Sequence, residues 1–265
     1  LFGNTTEASR GLVNPWLHAA SYAAGGVARG TATLAWVAGN FTNDSLVRVD
    51  VSRDGGHAWT LLSNDLLAVT GSVTWDTTLT ADSPAGLWRV TSLSDTSLVS
   101  QTTNFISIRN APLSLFVNDG STTGDVYAAE VGAATNWVAS VAQPFNSLAD
   151  ALRLYDLEPG DTVYVDSGIY AETTNVVLSR GDSGLTGQVV RLQGSTNAAL
   201  GSVINRGNTN AGSLGLQMTD ARWLALSNLT FRGGYVGVSV TNSSDLSLAV
   251  RAWSNASDGV LIGRS

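Results

Sequence analysis

From about residue 25 to residue 108, apolar and polar positions alternate in short runs. Val47, Val49 and Val51 alternate with Arg48, Asp50 and Ser52, and Leu34 and Trp36 with Ala35 and Val37. A period of two marks a strand with one buried face. The runs "HAWTLL", "GSVTWDT", "GLWRVTS" and "TNFISI" follow, each centred on aromatic or β-branched residues. Strands spaced roughly 8–12 residues apart predict a β-sandwich. Trp36, Trp59, Trp75 and Trp88 are expected to fill its core.

The pattern breaks at "IRNAPLS", residues 108–114, which predicts a domain boundary. Residues 1–110 then form the first domain, with 1–25 as a lead-in, and residues 111–265 the second. Beyond the break, Phe145, Leu148, Ala149, Leu152 and Tyr155 share one helical face, with Pro144 before it and "EPGD" ending it. Short strands follow: "TVYVD", "NVVLS", "QVVRLQ", "SVIN", "GLQM" and "WLAL".

A repeat then emerges. Gly215-Leu216-Gln217-Met218, Gly237-Val238-Ser239-Val240 and Gly259-Val260-Leu261-Ile262 recur every 22 residues. If one coil takes that many residues, equivalent positions stack at the inter-strand spacing of about 4.8 Å. The expected columns are Leu216/Val238/Val260, Met218/Val240/Ile262, Leu224/Leu246 and Leu226/Leu248, with Phe231 over Trp253. Leu229 would fall over Arg251 and Asn228 over Val250, so a turn of different shape is expected there. Because a copy begins where the sequence stops, the coil is expected to be incomplete and open at that end. Val260 and Ile262 are the candidates for self-association through it.

Two resemblances sharpen this picture. "SRDGGHAW", residues 52–59, resembles the Asp-box of sialidases and many other β-proteins, with Ala58 where Thr is usual. It implies a tight hairpin at Asp54-Gly55-Gly56, with His57 solvated in the turn. Pro144 to Leu152, Gly160 to Tyr170 and "VVRLQG" at 189–194 resemble the N-terminal cap and first coils of the right-handed parallel β-helix, or pectate-lyase-like, superfamily. The resemblance spans roughly residues 113–265. It implies an all-β chain in which an Ig-like β-sandwich precedes a β-helix capped by one short helix. It does not imply one activity, because the superfamily includes lyases, hydrolases, epimerases, adhesins and non-enzymatic surface proteins.

Composition supports an all-β reading. Charged residues make up 13% of the chain, about half the usual ~25%, and Gly is abundant. All 14 basic residues are Arg. A net charge of −7 without a basic cluster argues against a nucleic-acid partner. Zero Cys excludes disulfides, thiolate chemistry and Cys-zinc sites. No apolar run approaches the ~20 residues of a membrane span. This acidic, cysteine-free composition is typical of bacterial surface proteins, so a secreted or cell-surface location is expected, and a start at Leu1 suggests a mature or excised piece.

Candidate chemistry is sparse. Superfamily lyases gather carboxylates, often with calcium, beside a base. On the 22-residue columns, Asp258 falls over Val236, Asp245 over Trp223 and Asn242 over Asp220, so no acidic ladder forms. His18 and His57 precede the coil, and Arg222, Arg232 and Arg251 are the bases within it. No catalytic residue is therefore assigned. Asp119 and Asp125, in "NDGSTTGD", are weak calcium candidates; no other metal or cofactor is expected. Trp137 and Tyr235 are weak candidates for stacking on a polysaccharide. The expected function is a structural or adhesive module of a bacterial surface or matrix protein, self-associating into a filament or lattice, or continued by further coils. The alternative is the leading portion of a carbohydrate-active enzyme whose site lies beyond residue 265.

Overall fold

The computed structural model describes residues 14–263, an all-β fold with one α-helix, Leu148–Leu154, and three short 3-10 turns. In the N-terminal unit, Trp16–Ala19, Thr31–Gly39 and Ser72–Asp76 form an antiparallel sheet. A second sheet orders Gly26–Ala28, Ile106–Ile108, Ser83–Ser92, Leu46–Ser52 and Thr60–Leu67, with Val99–Gln101 also on Ser83–Ser92. Between them lies one core containing Leu34, Trp36, Val47, Val49, Trp75, Trp88 and Ile106.

Three expectations need correction. The lead-in over residues 1–25 is structured from Trp16, because Trp16–Ala19 pairs with Thr31–Gly39; residues 1–13 lie outside the described residues. Trp59 is not a core residue: it is half-buried on a sheet face, with the Arg89 guanidinium 4.3 Å from its ring centroid. The alternation in Leu46–Ser52 does not leave one face in water either. Asp50 is buried between Arg48 and Arg89, at 2.7 and 3.0 Å.

The hairpin at Ser52–Trp59 has the local geometry its residues require. Gly55 and Gly56 take positive φ angles of 69° and 93°, a region that side chains with a Cβ rarely enter. Asp54 Oδ1 accepts from the Ser52 hydroxyl (2.8 Å) and Ala58 N–H (2.9 Å). His57 is exposed in the turn.

The C-terminal unit is built of parallel strands. One sheet runs Ser114–Val117, Thr162–Val165, Val190–Gly194, Arg222–Arg232 and Ser244–Ala252. Arg222–Arg232 bends midway, and its second half also pairs with Ser202–Asn205, itself beside Gly168–Ala171. A further sheet stacks Val176–Leu178, Leu214–Thr219, Val236–Thr241 and Asp258–Gly263. The apolar columns stack as expected: Leu216/Val238/Val260, Met218/Val240/Ile262, Leu224/Leu246 and Leu226/Leu248.

The step of 22 holds only late in the chain. Val236 pairs with Asp258 and Leu214 with Val236, but Thr162 pairs with Arg191 and Val176 with Leu216. Loops inserted between the early strands lengthen those steps without disturbing the ladders. The irregular stretch is a bulge between Ser227 and Thr230, where Asn228 has φ 57°. It sets Phe231 opposite Ala252 rather than Trp253, and Thr230 opposite Arg251.

Helix Leu148–Leu154 is N-capped by Ser147, whose hydroxyl accepts from Asp150 N–H. All five residues of the expected face are buried. The helix is not the whole cover of this end of the stack. The first strand is edged by the segment before the helix: Phe145 N–H donates to Phe116 O, Asn118 N–H to Phe145 O, and Phe116 N–H to Ala139 O.

The two units abut. Arg109, just past the last N-terminal strand, is buried and forms a two-pronged ion pair with Asp161. Asp161 also accepts from Leu113 N–H (2.7 Å) and Glu158 N–H (2.9 Å). Trp137 seals the contact from the other side: its ring lies 5.7 Å from Phe105 and 6.4 Å from Phe145, and a Cβ on Gly55 would sit 3.1 Å from it.

Replacing Arg109 with Leu removes the cation and leaves Asp161 ionised and buried, a change that typically costs about 3–5 kcal/mol. The expected outcome in urea, followed by tryptophan fluorescence and circular dichroism, is a lowered midpoint and separate transitions for the two units. Unchanged, coincident transitions would show that the pair does not couple them.

Candidate functional site

The strongest candidate surface is the edge formed by Ser244–Ala252 and Asp258–Gly263. Val238 and Val240 are buried, yet Val260 and Ile262, their neighbours one strand further on, are 49% and 72% exposed. Leu246, Leu248, Val250 and Ala252 are partly buried against the same core. These side chains belong to the apolar columns, and beside them Asp258–Gly263 is, among the described residues, the last strand of its sheet. The self-association candidates Val260 and Ile262 therefore stand on one continuous apolar rim.

The polar columns are also present. Asn242 Nδ2 donates to Asp220 Oδ1, and both residues have positive φ. Arg222 and Arg251 are exposed, while Arg232 lies 5.5 Å from the ring centroid of Trp253, which is half exposed. Arg222 and Arg251 stand on the outer surface, and Arg232 on that of Trp253.

Asp119 and Asp125 lie in the loop after Ser114–Val117, beside a third carboxylate, Asp166. Asp166 is fully buried and accepts four backbone N–H groups: Val126, Tyr127, Ala128 and Ser167, all at 2.6–2.8 Å. Asp119 accepts from Ser121 and Ile169 N–H. Asp125 Oδ2 accepts from Asn118 Nδ2 (2.6 Å), and its Oδ1 is buried without a partner. Burial, together with the like charges of Asp166 and Asp119, pushes the Asp125 carboxyl above the usual range, against the lowering effect of Asn118. Among the described residues no group of three or more His, Asp or Glu gathers as a metal-ligand cluster. The loop's geometry fits a carboxylate-braced turn.

Trp137 and Tyr235 part company. Trp137 is half-buried at the junction, against Phe105 and Phe145. Tyr235, just before strand Val236–Thr241, is 37% exposed. Sequence reasoning did not single out Asp161, Asp166, Glu172 or Asp182 as architectural groups. Glu172 covers the helix start, accepting from Leu148 N–H and the Ser147 hydroxyl, each at 2.7 Å, and Asp182 closes a capping box with Ser179. A signal existed for Asp182, in the Ser-x-x-Asp spacing. Nothing local links Arg109 to Asp161.

Because the folded-state carboxyl of Asp125 holds its proton more tightly than in the unfolded chain, its contribution is fully present below its unfolded pKa. That contribution is lost as pH rises through the raised folded value. Asp125→Asn is isosteric and does not titrate there. It is expected to gain stability on wild type between pH 4 and pH 7, by about 0.5 kcal/mol at this partly exposed site, in parallel thermal melts. Calcium added at pH 7 separates the alternatives: a rise in wild-type Tm that Asp125→Asn abolishes would mark a metal site.

No protein-family model, no curated protein and no solved structure matches this chain.

Proposed function

We propose that the chain is a non-catalytic structural or adhesive module of a secreted bacterial surface or matrix protein. In this reading the N-terminal unit is an Ig-like β-sandwich and the C-terminal unit the capped start of a right-handed parallel β-helix. The observation that carries the proposal is the use made of the buried carboxylates. Asp50 and Asp161 are tied to arginines, and Asp161, Asp166, Glu172 and Asp182 hold backbone N–H groups. A general acid or base needs a carboxyl directed at a reacting group. These are directed at the chain itself, where they brace loops and fasten the two units.

In this reading the rim around Val260 and Ile262 is where a further strand pairs. An unpaired strand edge with an apolar face is a template for another strand. The opposite end of the stack is already hydrogen-bonded to residues 139–145. The rim is then covered either by further coils of a longer chain or by a second copy, and a second copy would meet it with its own rim, a closed two-fold pair rather than a filament.

The glycine column gives a selective test. A Cβ on Gly215 would stand 2.6 Å from Gly237 O, and one on Gly237 the same distance from Gly259 O. Gly259 itself has its nearest neighbour, Ala252 O, at 3.1 Å. A further strand stacking in parallel, as the described levels do, would bring its carbonyl against Gly259 as Gly259 now lies against Gly237, whereas a rim-to-rim two-fold pair sets the edge strands antiparallel and does not repeat that contact. Light scattering over a concentration series is expected to show a monomer–dimer equilibrium that stops at the dimer. Val260→Asp with Ile262→Asp should abolish it, and Gly259→Ala should change it less than threefold, because only parallel stacking sets a carbonyl against Gly259. A strict monomer at millimolar concentration would remove pairing between copies, and growth beyond the dimer would restore the filament.

A further inference from the structure

The bulge between Ser227 and Thr230 interrupts the ladder between Arg222–Arg232 and Ser244–Ala252. A recess of about 360 Å³ opens beside it. Its walls come from residues 195–201, from Asn228 to Thr230, and from Ala249 to Arg251. Asn228 takes φ 57° at the bulge, and Thr230 stands opposite Arg251 on the neighbouring strand. The irregular register thus sets an amide, a hydroxyl and a guanidinium around one hollow.

The polar groups of this recess fall into two sets. Ser195 and Asn197 are engaged by the chain itself. The Ser195 hydroxyl lies 2.7 Å from that of Ser167, while Asn197 Nδ2 donates to Gly124 O (2.9 Å) and its Oδ1 accepts from Ala199 N–H (3.1 Å). Thr196, Asn228, Thr230 and Arg251 have side chains with no hydrogen-bond partner among the described residues. They are also accessible: Thr196, Asn228 and Arg251 are exposed, and Thr230 is half-buried. Arg48, Arg89, Arg109 and Arg153 each meet a carboxylate, whereas Arg251 meets none among the described residues. The chain holds 21 acidic residues against 14 arginines, yet no acid lines this recess. Arg232, two residues beyond Thr230, presents a second cation on the same outward face.

We infer that this recess binds an oxyanion carried on a hydroxylated ligand, a single charged sugar residue, with Arg251 on the anion and Thr196, Asn228 and Thr230 on the neighbouring hydroxyls. The guanidinium fork matches the oxygens of a carboxylate, sulfate or phosphate group. Hydroxyl and amide side chains both donate and accept, which suits sugar hydroxyls that do the same. An amine would face Arg251 with like charge. A neutral sugar would leave the guanidinium without a counter-charge. Nucleic acid is disfavoured, because one cation makes a single phosphate contact and no aromatic ring lines the recess for a base to stack on. The volume lies at the small end of the ~300–1,000 Å³ of ligand sites, which sets the guest at one residue or the end of a chain. The inference does not depend on the rim, since a module that never pairs can still hold a sugar at the bulge.

The test uses the whole chain with glucuronate, glucose 6-sulfate and glucose 6-phosphate as charged probes, and glucose and sodium sulfate as the two halves of the ligand. Titration calorimetry and saturation-transfer NMR read binding. At least one charged sugar is expected to bind at least tenfold more tightly than glucose or sulfate, and the tightest of the three names the anion. Its affinity should fall as sodium chloride rises from roughly 0.05 to 0.5 M, because the site is open to screening ions. Arg251→Gln should weaken it at least tenfold with Tm unchanged, and Thr230→Val about threefold. Arg222→Gln, on the same strand but outside the recess, should leave it unchanged. Val260→Asp with Ile262→Asp should bind as wild type does, which keeps this result separate from pairing at the rim. The inference is overturned if no charged sugar binds, if glucose or sulfate alone binds as tightly, or if Arg251→Gln binds like wild type.

Discussion

The carboxylate of Asp161 sits where three segments meet, and each arrives with a polar group that water no longer reaches. Arg109 brings a guanidinium from the end of the N-terminal unit, Leu113 the N–H that precedes the first parallel strand, and Glu158 the N–H of the turn after the helix. Any one of them buried alone would cost several kcal/mol. Together they satisfy both oxygens. Fixing Asp161 fixes Thr162 behind it, whose N–H donates to Leu113 O, and Arg191, whose N–H donates to Asp161 O. The register of the first three strands of the parallel sheet therefore starts at this ion pair, and so does the placement of the N-terminal unit against it.

The same device recurs wherever the chain leaves a ladder. Parallel strands must be joined by crossing connections, and each connection strands backbone N–H groups that no neighbouring strand supplies with a partner. Asp166 gathers four of them, Glu172 two at the helix start, and Asp54 one in the hairpin. A chain with 13% charged residues has few acids, and several of them are placed at loop amides. The sparse charge and the irregular connections are two sides of one arrangement.

This explains what was legible beforehand. The columns Leu216/Val238/Val260 and Leu224/Leu246 could be read by subtraction, because stacking makes the pattern periodic and the last turns carry no insertions. The helix face could be read because burial at i, i+3 and i+4 is local. The steps between the early strands could not, since a loop may lengthen freely once its ends are held. Trp59 and Trp137 show the limit for aromatic residues. Trp59 read as core and Trp137 as a candidate sugar platform, yet one rests under an arginine on a sheet face and the other packs into a joint made by residues from both units. The third glycine-led copy was legible as well, and forms the strand Asp258–Gly263.

The glycine column shows how far a regular stack restricts its own neighbours. Gly215, Gly237 and Gly259 lie on successive strands, and for the first two a Cβ would strike the carbonyl of the next glycine at 2.6 Å. That approach is closer than side-chain carbons tolerate, so the absence of a Cβ at one level is imposed by the level above it. Gly259 meets a milder limit from Ala252 O, at 3.1 Å. A lone rim would therefore accept alanine there after a small shift, whereas a covered rim in the same register would not. Gly259 thus continues the column set by Gly237 and Gly215, while the described contacts at its own level impose only the milder limit of Ala252 O.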